Sequence, residues 1–208
     1  MKKHSLIAFL CFLMISNANS QEIKEFFIPN SPSNKTTFYT PNKAGSRTEM
    51  TRTIYYINKG ASYELIDAQM FGSSPSSILR KRVEFSNNEV KMTSSVSTTL
   101  SETKKERIHN PASVLLKIPS KGQKLTWSFK DISGDLTKCV SFWDIEKIDG
   151  KDVEVIKVEQ KVEGLESVSK IETYVKGIGL WRTELKGSDG KIQVFDKFDK
   201  LGFDSNAK

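Results

Sequence analysis

The chain has 208 residues, and its 32 lysine and arginine residues against 25 aspartate and glutamate residues give a formal net charge of +7. Basic and acidic residues are interspersed, which is typical of a solvated surface and argues against the clustered basic stripe of a nucleic-acid-binding protein. The two cysteines, Cys11 and Cys139, are too few for a zinc site built from thiolates. We therefore expect no nucleic-acid partner, no metal and no other cofactor.

Residues 1–20 have the pattern of an export signal. A basic start precedes an apolar run over residues 6–15, and the small residues Ala18 and Ser20 follow at the spacing that signal peptidase requires. The run is shorter than the roughly 20 apolar residues that span a bilayer, so no permanent membrane span is expected. We predict cleavage between Ser20 and Gln21 and export to the periplasm or the medium.

The rest of the chain has the pattern of a single all-β domain. Residues 21–46 are predicted to form an N-terminal segment, with a candidate strand at 21–27, followed by a loop. Residues 47–203 contain short apolar runs, often alternating, that are rich in β-branched and aromatic residues, and residues 204–208 form a polar tail. We predict one antiparallel, curved sheet, an open half-barrel or barrel-like, with little helix.

Two Asp-Gly pairs mark the clearest turns. Asp149-Gly150 and Asp189-Gly190 each separate two apolar runs. A two-residue type I′ turn needs positive φ at both of its central positions, which aspartate and glycine tolerate. Both pairs are therefore predicted to close β-hairpins.

No sequence motif indicates catalysis. His109 is the only histidine after the signal, so any Ser–His or Cys–His site must use it. It lies in an Asn-Pro turn without a nucleophile-elbow sequence, which favours an exposed turn histidine. Asp144 and Glu146 are a second option, as a carboxylate pair for glycoside hydrolysis. Cys139 is interpreted as a small buried hydrophobic residue. The pattern favours a non-enzyme but leaves the matter open.

Aromatic residues on the predicted strands are the candidate ligand contacts. On a concave sheet they could stack on sugar rings or line a lipid groove, whereas in a closed sandwich they would fill the core. The candidates are Tyr55, Tyr63, Trp127, Phe129, Trp143 and Trp181.

The segment 174–184 resembles the Y-x-x-G-[VI]-G-[LP]-x-x-x-E signature of uncharacterised exported bacterial β-sheet proteins and lipoproteins. The matching residues are Tyr174, Gly177, Gly179 and Glu184. Trp181 stands where a smaller aliphatic residue is usual in that group, and similar features extend over residues 119–185. Some of these proteins resemble in outline the open sheets of periplasmic lipoprotein carriers. The resemblance implies a structural motif, with the glycines providing a sharp turn, and no catalytic residue.

Three functions follow from these patterns. The favoured one is an exported, non-enzymatic protein that binds a lipid, a lipoprotein or an envelope polysaccharide on a concave β-sheet. The first alternative is a structural or surface protein with a closed β core and no small ligand. The second alternative is a hydrolase that uses Asp144 with Glu146, or His109.

Overall fold

The computed structural model describes most of the chain after the predicted signal. The predicted signal peptide, residues 1–20, and the polar tail, residues 204–208, lie outside the described residues. The described ranges are 22–30, 33–41, 47–71, 74–130, 134–165 and 167–197.

Twelve antiparallel strands follow one another in chain order in the described ranges, and within each of two sheets every strand pairs with its neighbours along the chain. Strands β1 to β6 form one six-stranded sheet and β7 to β12 form a second. The strands are β1 (Ser33–Pro41), β2 (Arg47–Asn58), β3 (Ser62–Phe71), β4 (Ser74–Ser86), β5 (Glu89–Thr99), β6 (Arg107–Lys117), β7 (Lys124–Lys130), β8 (Leu136–Ile148), β9 (Lys151–Val162), β10 (Val168–Val175), β11 (Gly179–Gly187) and β12 (Ile192–Lys197).

The all-β prediction is confirmed, but the prediction of a single sheet is wrong. Among the described residues no backbone ladder joins β6 to β7, although these strands lie side by side, as β1 and β12 do. Side chains bridge the first gap, since Trp127 Nε1 donates to Val114 O at 2.7 Å and Ser113 Oγ donates to Lys130 O at 2.9 Å. The two sheets therefore face each other and enclose a space.

Two predictions for the N-terminal segment are also wrong. Residues 22–27 form a short helix, α1, instead of a strand, and β1 occupies Ser33–Pro41, where a loop was predicted. Ile23, Phe26 and Phe27 follow the i, i+3, i+4 spacing of one helical face, and all three side chains are buried. The β1 sequence is mostly polar, and the strand pairs with β2 along its whole length.

Both predicted hairpins are present. Asp149 and Gly150 have φ of 49° and 79° between β8 and β9, as a type I′ turn requires. Gly190, with φ of 77°, lies in the turn between β11 and β12, but Asp189 does not have positive φ, so this hairpin does not have the type I′ turn.

Helix α1 inserts between the two sheets, and Phe27 contacts both of them. Its ring meets Tyr56 on β2 and Phe85 on β4 edge-on, with centroids 6.5 and 5.9 Å away. It stacks on Tyr174 of β10 at 6.0 Å. Aromatic pairs in these geometries add to the stabilisation from burial. Phe27 is therefore a shared core residue that joins the sheets at one end.

The β10–β11 turn holds α1 in this position. Gly177 N donates to Glu25 O at 2.6 Å, and Asn30 N donates to Gly177 O at 2.8 Å. Lys176 Nζ lies 2.6 Å from a carboxylate oxygen of Glu25. Gly177 has φ of 76° and Gly179 has φ of 79°, a left-handed conformation that glycine adopts readily and that suits a sharp turn. The turn of the signature segment thus anchors the N-terminal helix.

Replacing Phe27 with alanine tests whether α1 joins the sheets. Phe27→Ala should lower the free energy of unfolding by about 3–5 kcal/mol, because it removes a fully packed aromatic ring. Phe142→Ala is the matched control, since Phe142 is only half-buried. Urea unfolding followed by circular dichroism gives both values, and equal losses for the two variants would contradict the assignment.

Candidate functional site

A cavity of about 530 Å³ lies between the two sheets. Its walls come from β2 to β6 on one side and from β7 to β11 on the other, with Phe27 of α1 among the lining residues. The volume is within the roughly 300–1,000 Å³ that is typical of small-molecule sites. The space between the sheets is thus a concave site of a size that suits a small molecule.

The cavity is closed at one end and reaches the surface at the other. Phe27, Tyr56 and Tyr174 line the closed end, and all three side chains are buried. Leu165 and Val168, around the β9–β10 connection, also line the cavity but are 63% and 45% exposed. The cavity therefore reaches the surface beside Leu165 and Val168.

Charged side chains occupy the middle of the cavity wall, and Glu172 on β10 receives three hydrogen bonds. Lys170 Nζ donates at 2.9 Å, Gln160 Nε2 at 2.8 Å and Tyr174 Oη at 2.8 Å. Burial alone would raise the pKa of Glu172, but the charges of Lys170 and Lys81 and the hydrogen bonds from Lys170 and Tyr174 outweigh it and lower the pKa to about 2. Glu172 is therefore ionised and fully paired at neutral pH.

Asp67 on β3 forms a second ion pair in the wall. Arg52 donates to both carboxylate oxygens, from Nε at 2.9 Å and from Nη2 at 2.8 Å. Burial would raise the pKa of Asp67, but the hydrogen bonds and the charge of Arg52 outweigh it and lower the pKa. This bidentate geometry is the strong form of a carboxylate–guanidinium pair.

Lys81 on β4 is the third cation of the wall. The structure gives it no hydrogen bond or ion pair to any described residue. Burial lowers the pKa of the Lys81 ammonium, and the charges of Asp67 and Glu172 oppose that shift. With Arg52 and Lys170, the cavity wall has three cations against two carboxylates, an excess of one positive charge.

These cavity charges were missed by the sequence analysis. Lys170, Glu172 and Tyr174 alternate along β10 and so share the face that is turned to the cavity. The sequence feature that could have indicated the cavity charges is the two-residue spacing of Lys170 and Glu172 from the aromatic residue Tyr174. Interspersed charges are typical of a solvated surface, so these residues were predicted to lie on the surface.

The six candidate aromatic residues do not form one site. Phe129 lines the cavity, whereas Tyr63, Trp127 and Trp143 pack against the main core outside the cavity lining. Tyr55 is 46% exposed. The aromatic groups that do surround the cavity are mostly those at its closed end.

Trp181 lies on the outer face of the second sheet. It packs with Val155 and Val175 in a separate apolar cluster. Their chain neighbours Ile156 and Tyr174 belong to the main core, and successive strand residues point to opposite faces. The Arg182 guanidinium lies 4.7 Å from the Trp181 ring centroid. Trp181 is therefore remote from the cavity.

His109 is buried, so the prediction of an exposed turn histidine is wrong. Ser95 Oγ lies 3.0 Å from Nε2, and Ser113 Oγ lies 3.0 Å from Nδ1. Because Ser113 donates its hydrogen to Lys130 O, it accepts from Nδ1–H, and Ser95 then donates to Nε2. Burial, together with the charge of Arg107, lowers the pKa of His109. The neutral imidazole of His109 therefore has a hydrogen-bond partner at each ring nitrogen.

Asp144 and Glu146 form an ion-pair cluster on the outer face of the second sheet. Lys157 Nζ lies 2.7 Å from Asp144 Oδ2 and 2.6 Å from Glu146 Oε1, and Arg182 lies 2.7 Å from Glu146 Oε1. The Lys157 hydrogen bond lowers the pKa of Asp144. Burial would raise the pKa of Glu146, but Lys157 and Arg182 outweigh it. Glycoside hydrolysis needs one carboxyl group with a raised pKa, which this cluster does not supply.

Neither a thiol site nor a metal site stands out in the described ranges. Cys139 is buried, and burial raises the pKa of its thiol to about 12, so it stays protonated. In these ranges no three His, Cys, Asp or Glu side chains come together as metal ligands.

No family model, no curated protein and no solved structure matches the chain. The resemblance of the segment 174–184 to exported bacterial β-sheet proteins thus stays a prediction. Within the described part of the chain, no helix has the length and apolar character needed to cross a bilayer.

The burial of His109 predicts a specific pH dependence. Its folded pKa lies below the unfolded value of 6.5, so the unfolded state binds the proton more readily. The free energy of unfolding should therefore fall as pH drops through 6.5 toward the folded pKa. Urea unfolding between about pH 8 and pH 5 measures this loss.

His109→Gln should remove that part of the pH dependence. His4 lies in the predicted signal, so His109 is the only histidine of the predicted mature chain, and the wild-type mature protein is the reference. The same loss of stability in wild type and His109→Gln would show that another group is responsible.

Proposed function

We propose that the chain is a binding protein that takes up one small, largely apolar ligand between its two sheets. The observation that carries the proposal is the cavity of about 530 Å³, closed by α1 and continuous with the exposed residues Leu165 and Val168. Concave, mostly apolar spaces with a few polar groups are where proteins bind small molecules.

The chemistry of the wall favours a lipid-like ligand over a glycan. Much of the lining is aliphatic, including Leu65, Leu79, Leu115, Val162 and Leu185. Burying a methylene group stabilises a complex by about 0.8 kcal/mol, so ten of them contribute roughly 8 kcal/mol. Sugar rings usually stack on exposed aromatic faces. The three tryptophans lie in the core or on the outer face, outside the cavity lining.

Export is the cellular context of the proposal. The signal pattern of residues 1–20 would bring the mature chain to the envelope or the medium. A lipid or a lipoprotein acyl chain in that compartment needs an apolar protein interior to leave the membrane, because its apolar surface is unfavourable in water. A structural protein with a filled core, the main alternative, has no need of such an interior.

An apolar fluorescent probe tests the proposal. N-Phenyl-1-naphthylamine should become fluorescent in wild-type protein, and Leu79→Trp should weaken its binding by about 1–3 kcal/mol because the larger side chain enters the cavity. Ile78→Trp is the matched control, since Ile78 directly precedes Leu79 on β4 and lies outside the cavity lining.

Two results would contradict the proposal. The first is a wild-type protein that gives no fluorescence enhancement. The second is a Leu79→Trp variant that binds the probe as tightly as Ile78→Trp while thermal unfolding shows both to be folded.

A further inference from the structure

We infer that the ligand is an amphiphile with one apolar tail and one singly charged anionic head group, a carboxylate or a phosphodiester, that pairs with Lys81. This inference rests on the proposed function and names the ligand class of the same cavity.

The charge balance of the wall supports an anion. Asp67 is paired with Arg52 through two hydrogen bonds, and Glu172 is paired with Lys170. Lys81 has no hydrogen bond or ion pair to a described residue. One monoanionic head group would neutralise the excess positive charge of the wall.

The environment of Lys81 gives that neutralisation a physical reason. An ammonium group removed from water without a partner is destabilising, and a hydrogen-bonded counter-charge relieves the destabilisation. A neutral ligand that displaces water from the cavity would leave Lys81 less solvated than before. An anionic ligand replaces the lost water with a charge-assisted hydrogen bond.

A second polar group without a partner belongs to a residue that lines the same cavity. Thr137 on β8 is 3% exposed and lines the cavity. Its Oγ1 is buried and has no hydrogen-bond partner among the described residues. A hydroxyl group can donate to a carboxylate or phosphate oxygen. The wall therefore presents donors from both sheets, Lys81 from the first and Thr137 from the second.

The same wall disfavours a cationic head group. Glu172 accepts three hydrogen bonds and Asp67 accepts two, so neither carboxylate lacks a donor. A cation would meet the ammonium of Lys81 without an unpaired carboxylate to offset the repulsion. An anionic head group gains an ion pair with Lys81, whereas a neutral or cationic head group does not.

Matched ligands and variants test the inference at neutral pH. Wild type should bind dodecanoate about 10-fold or more tightly than dodecanol in displacement of N-phenyl-1-naphthylamine. Lys81→Met should abolish this preference and leave dodecanol binding unchanged, whereas Lys81→Arg should retain it. Lys151→Met removes the same charge from an exposed β9 position outside the cavity lining and should bind both ligands as wild type does.

Acetate and inorganic phosphate supply the anion without the tail. Neither should displace the probe at concentrations where dodecanoate does. Displacement by either one at those concentrations would indicate a simple anion site and would overturn the inference.

The remaining outcomes separate the two claims. If wild type binds neither dodecanoate nor dodecanol, the proposed function fails and the inference fails with it. If wild type binds both equally, or Lys81→Met keeps the preference for dodecanoate, the cavity still binds apolar ligands and only the anionic head group is refuted. If Lys81→Met does not fold, Lys81→Gln takes its place with the same expected loss of preference.

Discussion

The position of Phe27 between the two sheets is the contact on which the rest of the interior depends. Its ring packs on Tyr56 and Phe85 of one sheet and on Tyr174 of the other. The hydrogen bonds between Gly177 and the segment around α1 fix the helix in place. A helix of six residues fills only one end of the space that the sheets enclose. The remainder of that space is the cavity.

The charged groups in the middle of the cavity have a large effect on how the interior can pack. Glu172 and Asp67 are stable there because each is matched by cations and hydrogen-bond donors. Such pairs are expensive to desolvate, and well-packed apolar residues would stabilise a closed core at least as well. A protein that needed only a stable sandwich would have no use for them. A cavity that recognises a polar head group would use such charged groups.

The sequence contained enough information for the strands and the tightest turns. Asp149 and Gly150 both have positive φ, and the alternation of β7 matches its half-buried and exposed residues. Period-two alternation, however, does not say which strand edges pair, so the break between β6 and β7 could not be read from it. The apolar face of α1 spans barely more than one turn, too short a window for a helical period to be recognised.

The candidate site was predicted less well, because burial of a polar residue depends on partners that are distant in sequence. His109 is buried because Ser95 and Ser113 bind both ring nitrogens. Trp181 was expected on a concave face, but it directly follows Leu180 of the cavity lining, and successive strand residues point to opposite faces. Lys81 is one of the interspersed charges that were predicted to lie on a solvated surface.

The location of a bound amphiphile is the most direct test of the account. A crystal structure of the protein with 12-bromododecanoate, measured at the bromine absorption edge, locates the tail by its anomalous signal. The account predicts a bromine peak between the two sheets and carboxylate density within hydrogen-bond distance of Lys81 Nζ. A bromine peak confined to the outer face of either sheet, beside an interior filled by side chains, would contradict it.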